Sequence, residues 1–209
     1  VTTLTQEEIA SFIVKRDRAF RTVVKNAGPP PPRRAAPVKS RFSALVRSIT
    51  FQLLATSAAN TIHARVIEAC GGETSPQSVL AAGEENLRAA GLNRTKAQAM
   101  LDLAQHCLDG TVDLKAHGKM SNHEVVKDVV KVRGIGPWTA QMYLMHTLAR
   151  HDVWPIGDYG VRAGWTLLHE LDEMISEKDL GAEGPRFAGY ESDVAWYCWQ
   201  AVHFQRLSK

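Results

Sequence analysis

Apolar residues recur along this chain at helical spacing, and no stretch alternates convincingly at period two. Alternation marks a half-buried strand, whereas apolar positions three and four apart mark one face of a helix, so an all-α fold of about ten helices is expected. Caps and breakers set the boundaries. Thr5-Gln-Glu-Glu8 reads as a capping box, opening a helix through Ile9, Phe12, Ile13 and Phe20 that ends near Gly28. Pro29 to Pro32 cannot be helical and form a stiff connector. With Arg33, Arg34, Lys39 and Arg41 this region is basic and reads as a solvated linker. Phe42, Leu45, Val46, Ile49 and Leu53 line one helix face, and Thr56 or Ser57 can cap the next helix, which stops at Gly71. Ser75-Pro76 starts a short helix broken at Gly83. Another spans Glu84 to Ala90, and Asn93 caps one carrying Ala97, Leu101, Ala104 and Leu108. After a loop from His151 to Gly157, Asp158 can cap a helix through Val161, Trp165 and Leu168. Residues 173–189 read as irregular, and Val194 to Phe204 as a buried helix. There are no internal repeats.

The chain is organised around Lys131-Val-Arg-Gly-Ile-Gly-Pro-Trp-Thr-Ala140. Before it, Ser121-Asn-His-Glu124 is a capping box, and Val125, Val126, Val129 and Val130 form one helical face. After it, Pro137 suits a first helical position, and Trp138, Met142, Met145 and Ala149 continue at helical spacing. Two glycines allow a tight turn and close approach of a ligand. The free N–H groups at the start of the second helix make an anion site suited to a phosphate. An ordinary helix–helix turn reads the same residues equally well.

With 44% hydrophobic residues in 209, the chain can bury a real core, as one domain or two small lobes. No apolar run approaches the roughly 20 residues of a membrane span, and no secretory signal is visible. The chain lacks an initiator methionine, so residue 1 is not expected to be the true start. A net charge of +3 means that any affinity for nucleic acid must come from a local patch. Cys70, Cys107 and Cys198 are odd in number and widely spaced. They form neither a disulfide framework nor a CxxC metal site, which favours a reducing cytoplasm. No metal-ligand cluster, Ser/His/Asp arrangement or phosphate-binding Walker loop is present. Asp158 stands one helix and one loop beyond the Gly-Ile-Gly turn, and its spacing alone favours a structural N-cap.

Gly134-Ile-Gly-Pro-Trp-Thr-Ala140 followed by Trp154-Pro-Ile-Gly-Asp-Tyr-Gly-Val-Arg162 resembles the helix–hairpin–helix DNA glycosylase superfamily. Within it the chain is most similar to the bacterial 3-methyladenine DNA glycosylase II group. Phe42-Ser-Ala-Leu-Val-Arg-Ser-Ile49, Gln52-Leu53, Gly91-Leu-Asn-Arg-Thr-Lys-Ala97 and Trp196-Tyr-Cys-Trp199 fall in the family's order. The resemblance implies a two-lobed helical fold. Residues 1–40 would supply a helix and the Pro-rich connector, and 41–209 the glycosylase domain, with N- and C-terminal helices sharing a lobe.

It also implies an activity, the hydrolytic release of alkylated bases from double-stranded DNA after base flipping, without lyase chemistry. Asp158 falls on the family's catalytic aspartate. Trp138, Phe187 and Met142 fall in the base pocket, although Trp138 and Phe187 could instead be core aromatics. Leu53 matches an apolar wedge that fills the gap in the base stack, with Gln52 beside it, yet Leu53 also continues the α-helical core face. Arg133, Gly134, Ile135, Gly136 and Thr139 match the phosphate-binding hairpin. No cofactor is implied beyond a possible monovalent cation on the hairpin carbonyls. A monomer working on DNA in the bacterial cytoplasm, at the nucleoid, is expected. Phe51, Ala55, Gly189 and Glu191 depart from the family's usual Gly, Ser, Pro and Arg, which puts pocket shape and substrate range in question. Two other readings stay open. One is a non-catalytic DNA-binding module using the same hairpin. The other is a glycosylase with lyase activity, whose relatives carry a lysine where this chain has Trp138.

Overall fold

The computed structural model describes residues 4–208. Among them are eleven α-helices and no strand: α1 (Gln6–Arg16), α2 (Arg21–Ala27), α3 (Arg41–Phe51), α4 (Thr56–Ala69), α5 (Pro76–Ala89), α6 (Arg94–Leu108), α7 (Asn122–Val129), α8 (Pro137–His146), α9 (Tyr159–Leu168), α10 (Glu177–Glu183) and α11 (Glu191–Leu207). They form two compact units. A central unit spans Ala35–Ala149, and a split unit combines the described residues up to Arg34 with those from Arg150 onward.

In the central unit, α3 packs on α4, α6 and α8, α5 on α6, and α7 on α8. The stripe Phe42, Leu45, Val46 and Ile49 on α3 is buried, with Met100 and Leu103 of α6 and Leu144 of α8 in the same core. A buried polar node braces the two helices flanking the Gly-Ile-Gly turn. His117 contacts Asp128 of α7 through Nε2 at 2.8 Å and the Tyr143 hydroxyl of α8 through Nδ1 at 3.1 Å. Lys131 Nζ donates to Asp128 Oδ1 at 2.6 Å. Burial draws the His117 pKa below the usual histidine value, outweighing the pull of Asp128 in the other direction. The two ends of the unit meet, with Ala36 N–H donating to the Thr147 carbonyl at 2.8 Å.

In the split unit, α9 and α11 lie almost backbone to backbone. A Cβ at Gly164 would fall 2.0 Å from the Cys198 carbonyl oxygen, so only glycine fits there. Phe20, Trp165 and Phe187 make an edge-to-face cluster, and His169 stacks on Trp165 with centroids 4.2 Å apart. Helix α2 packs on α11, and the Tyr197 hydroxyl donates to the Gly28 carbonyl at 2.9 Å. The connector is not simply solvated. Arg33 Nε meets the buried Asp193 carboxylate at 3.0 Å, and its Nη2 donates to the Ser192 carbonyl at 2.9 Å.

The capping boxes at Thr5 and Ser121, and the side-chain caps at Ser75, Asn93 and Asp158, form as expected. Gly83 breaks α5 with φ 70°. Four expectations need correction. The first helix stops at Asp17, whose carboxylate accepts from Ala19 N–H and opens a 3₁₀ turn. Helix α4 begins at Thr56 with Ala55 as N-cap and no side-chain cap. Residues 173–189 contain α10 and a 3₁₀ turn over Gly184–Phe187. On α8 the buried face is Thr139, Ala140, Tyr143, Leu144 and Met145, while Trp138 is exposed and Ala149 lies beyond the helix.

Candidate active site

Asp158 caps α9 in the split unit, and only 7% of it is exposed. Its Oδ1 accepts from the Val161 N–H at 2.8 Å and from Trp199 Nε1 at 2.9 Å. Two donors from different helices therefore fix one carboxylate oxygen and aim the group. Gly160 makes this possible: a Cβ there would lie 2.8 Å from Trp199 Cδ1 and 3.2 Å from Asp158 Oδ1. Tyr159, next in the chain, is 69% exposed. Trp199 and Gly160 stand in motifs that carry the family resemblance, but the sequence gives neither a role. An indole in an apolar helix and a glycine in a helix each look like packing until both meet the aspartate.

The remaining candidate residues lie in the central unit. Gly134 takes φ 82°, and a Cβ would come 3.0 Å from the Ala99 Cβ, so the first glycine of the turn is required by its backbone. Gly136 has an ordinary φ of −93° and open space where a Cβ would be. It serves as N-cap of α8, whose start carries no side-chain cap. The exposed face of the turn comprises Arg133, Gly134 and Gly136. The Arg133 backbone N–H donates to Asp102 Oδ2 at 2.7 Å. Ile135 and Thr139 turn their side chains inward, at 4% and 3% exposure, so neither side chain presents itself to a phosphate. Ile135 packs, and Thr139 Oγ1 accepts from Gln52 Nε2 at 3.1 Å.

That same Gln52 amide donates to the Gly134 carbonyl at 3.1 Å, tying the end of α3 to the turn. Leu53 follows at φ 54°, in the left-handed region that a residue with a β-carbon avoids. Its side chain is 104% exposed, so it is not part of the core face that its spacing suggested. Strained backbone and a bare apolar side chain at one position are characteristic of functional sites.

Trp138 and Met142 line a cavity of about 380 Å³ with Phe51, Arg47 and Ser48. The Arg47 guanidinium stacks over the Phe51 ring at 3.9 Å from its centroid, so the bulkier residue at 51 supplies an aromatic wall and carries a cation with it. Phe187, expected in the base pocket, is a correction. It is fully buried in the Phe20–Trp165 cluster and is a core residue of the split unit. Gly189 adopts φ 89°, a conformation closed to the proline usual in the family. Among the described residues no group of three or more His, Cys, Asp or Glu is placed to hold a metal ion, and no helix is long and apolar enough to cross a membrane.

A helical hairpin with an open Gly-x-Gly turn, followed one helix and one loop later by a buried N-cap aspartate, defines a class of DNA repair proteins. Residues 46–184 match the model of the HhH-GPD superfamily of base excision DNA repair proteins, and the chain belongs to that family. It is 29% identical over 212 residues to DNA-3-methyladenine glycosylase 1 of Schizosaccharomyces pombe, covering all of this chain and 92% of that one. DNA-3-methyladenine glycosylase 2 of Escherichia coli is 28% identical over 131 residues, 58% of this chain and 46% of that one. The solved Schizosaccharomyces pombe 3-methyladenine DNA glycosylase in complex with abasic DNA superposes with a TM-score of 0.83 and 26% identity, covering 92% of this chain and 95% of that one.

Proposed function

We propose that this protein is a monofunctional DNA glycosylase that releases alkylated bases, chiefly purines such as 3-methyladenine and 7-methylguanine, from double-stranded DNA. One observation carries the reading: Asp158, nearly buried at the start of α9, is aimed by Val161 N–H and the Trp199 indole in a chain of this family. The names of its relatives support the substrate class.

Alkylation at N3 or N7 gives the purine a positive charge, so it departs as a neutral base without a strong general acid. The step leaves an oxocarbenium-like sugar. Asp158 stabilises that cation electrostatically, and water adds at C1′, losing its proton toward the carboxylate. Extrusion of the base from the duplex costs a few kcal/mol. Leu53, presented bare at the end of α3, fills the gap in the stack, with Gln52 at its base. Trp138 and Met142 wall the base, the indole attracting a cationic ring with up to about 2 kcal/mol when desolvated. The uncapped start of α8 at Gly136 takes a phosphate on backbone N–H groups, positioning the duplex without reading its sequence.

No cofactor enters these steps. A monovalent cation at the turn would rest on backbone carbonyls, and those of Val132 and Gly134 already accept hydrogen bonds from Ile135 N–H and Gln52. The enzyme acts as a monomer where chromosomal DNA is, in a bacterium the cytoplasmic nucleoid. Mass spectrometry of bases released from methylated duplex DNA tests the proposal. Free 3-methyladenine or 7-methylguanine is the expected product, and binding without release would leave only a DNA-binding module.

A further inference from the structure

Lys96 is 8% exposed, yet its ammonium makes no ion pair with a carboxylate among the described residues. It donates instead to two backbone carbonyls, Thr50 O at 2.9 Å and Gln52 O at 2.6 Å. Both lie at the end of α3, where the last carbonyls of a helix lack intrahelical partners and carry the negative end of its dipole. Asn93 places the lysine there. By accepting from Lys96 N–H at 2.9 Å it starts α6 so that residue 96 falls in the first turn, on a helix packed against α3.

A buried cation held only by carbonyls carries a desolvation cost, and burial lowers its pKa from the usual lysine value. That cost falls at one point of the chain, the turn where α3 ends and Leu53 takes its left-handed conformation. Gln52 extends the same node. Its carbonyl is held by Lys96, while its side chain holds Gly134 and Thr139 on the hairpin.

We propose that Lys96 is a positioning residue for base flipping. By clamping the Thr50 and Gln52 carbonyls it fixes the turn that presents Leu53, and keeps that turn in register with the hairpin. This rests on the reading of the protein as a base-flipping glycosylase. Lys96 acts through the backbone of residues 50–53 and touches no substrate atom itself.

A double-mutant cycle read in two assays tests it. Lys96→Met removes both donations and keeps an unbranched stem of similar length. Excision from methylated duplex and affinity for abasic duplex should both fall by about tenfold or more, because only molecules with the turn formed can seat the wedge. In a Leu53→Ala background the same change should alter either quantity by less than about twofold, the signature of coupled sites. Its effect on melting temperature should be equal in both backgrounds. Lys96→Arg, which can still donate to both carbonyls, should recover most of the loss. Equal losses in both backgrounds would make Lys96 a purely structural lysine, as would normal excision by Lys96→Met or an inert Leu53→Ala. If the Met variant does not fold, Lys96→Gln, a shorter and neutral donor, carries the same cycle. A parent protein that bound abasic duplex but released no alkylated base would overturn the glycosylase reading alone. The affinity arm would still decide whether Lys96 and Leu53 are coupled.

Discussion

Truncation of Leu53 separates the two roles its position allows, and the structure sets the size of each effect. The side chain is fully exposed, so Leu53→Ala removes no packing and should change unfolding free energy by no more than about 0.5 kcal/mol. A leucine in the core would have cost about 2–5 kcal/mol. Leu53→Gly should go further. Its φ of 54° burdens a residue with a β-carbon by about 1–2 kcal/mol. Glycine's greater freedom in the unfolded chain takes back about 0.5–1 kcal/mol, so the net change runs from zero to a gain of about 1.5 kcal/mol. On DNA the sign reverses. A leucine passing from water into a base stack gains about 1.5–3 kcal/mol. Losing it should weaken affinity for abasic duplex by about one to two orders of magnitude. Thermal melting and equilibrium binding to abasic duplex at one fixed salt concentration read the two effects. Lower stability by about 2 kcal/mol or more with unchanged DNA affinity would refute the wedge and return Leu53 to the core.

Four further outcomes are expected. Asp158→Asn keeps an oxygen for Val161 N–H and Trp199 Nε1, so melting should barely change while excision falls by about two or more orders of magnitude; a parent-like rate would reduce Asp158 to a cap. Trp199→Phe keeps the ring beside Gly160 but removes the donor to Asp158, and since a misplacement of about 1 Å can cost about 10²-fold, single-turnover excision should drop by about tenfold or more at unchanged abasic-DNA affinity. His117 is held neutral by burial, with its folded pKa below 6.5, so the unfolded chain takes up a proton first as pH falls through that value. Stability should therefore decline from about pH 6.5 downward, and His117→Gln should flatten this part of the melting-temperature profile. Borohydride should trap no covalent adduct with abasic DNA, because the lyase position carries Trp138 and a Schiff base needs an amine.

Much of the helical framework could be read from local chemistry, because caps act within one turn. Ser121 and Glu124 bond each other's backbone, and Asn93 and Asp158 accept from N–H groups three residues on, all visible as spacing. Helix α10 was not, since in Glu177–Glu183 only Leu180 is a large buried apolar residue and no periodic stripe forms. The site divides the same way. Asp158 came from a motif, whereas Trp199 lies 41 residues away and shows its role only when α11 lies against α9. Nothing in the sequence marks Lys96 within its motif, because its partners are carbonyls of another helix. Leu53 fitted the core stripe of α3 by period, but the helix ends at Phe51 and the chain turns before the stripe reaches it. Phe187 shows the converse, where a family position was filled by a residue that here completes an aromatic core.

The central unit is one continuous stretch whose ends are joined by the Ala36–Thr147 hydrogen bond, whereas the split unit needs both ends of the chain. During synthesis this imposes an order. Helices α1 and α2 leave the ribosome before the central unit but must wait, with Ile9, Ile13, Phe20 and Val23 unburied, for α9 and α11 to arrive. The unit begun later can be finished earlier, as soon as Ala149 has emerged. At about 5–20 residues per second, the nascent chain spends a few seconds with one unit complete and the other half-made. A ribosome pause after the central unit would prolong that interval, during which holdase chaperones would find the apolar face of α1.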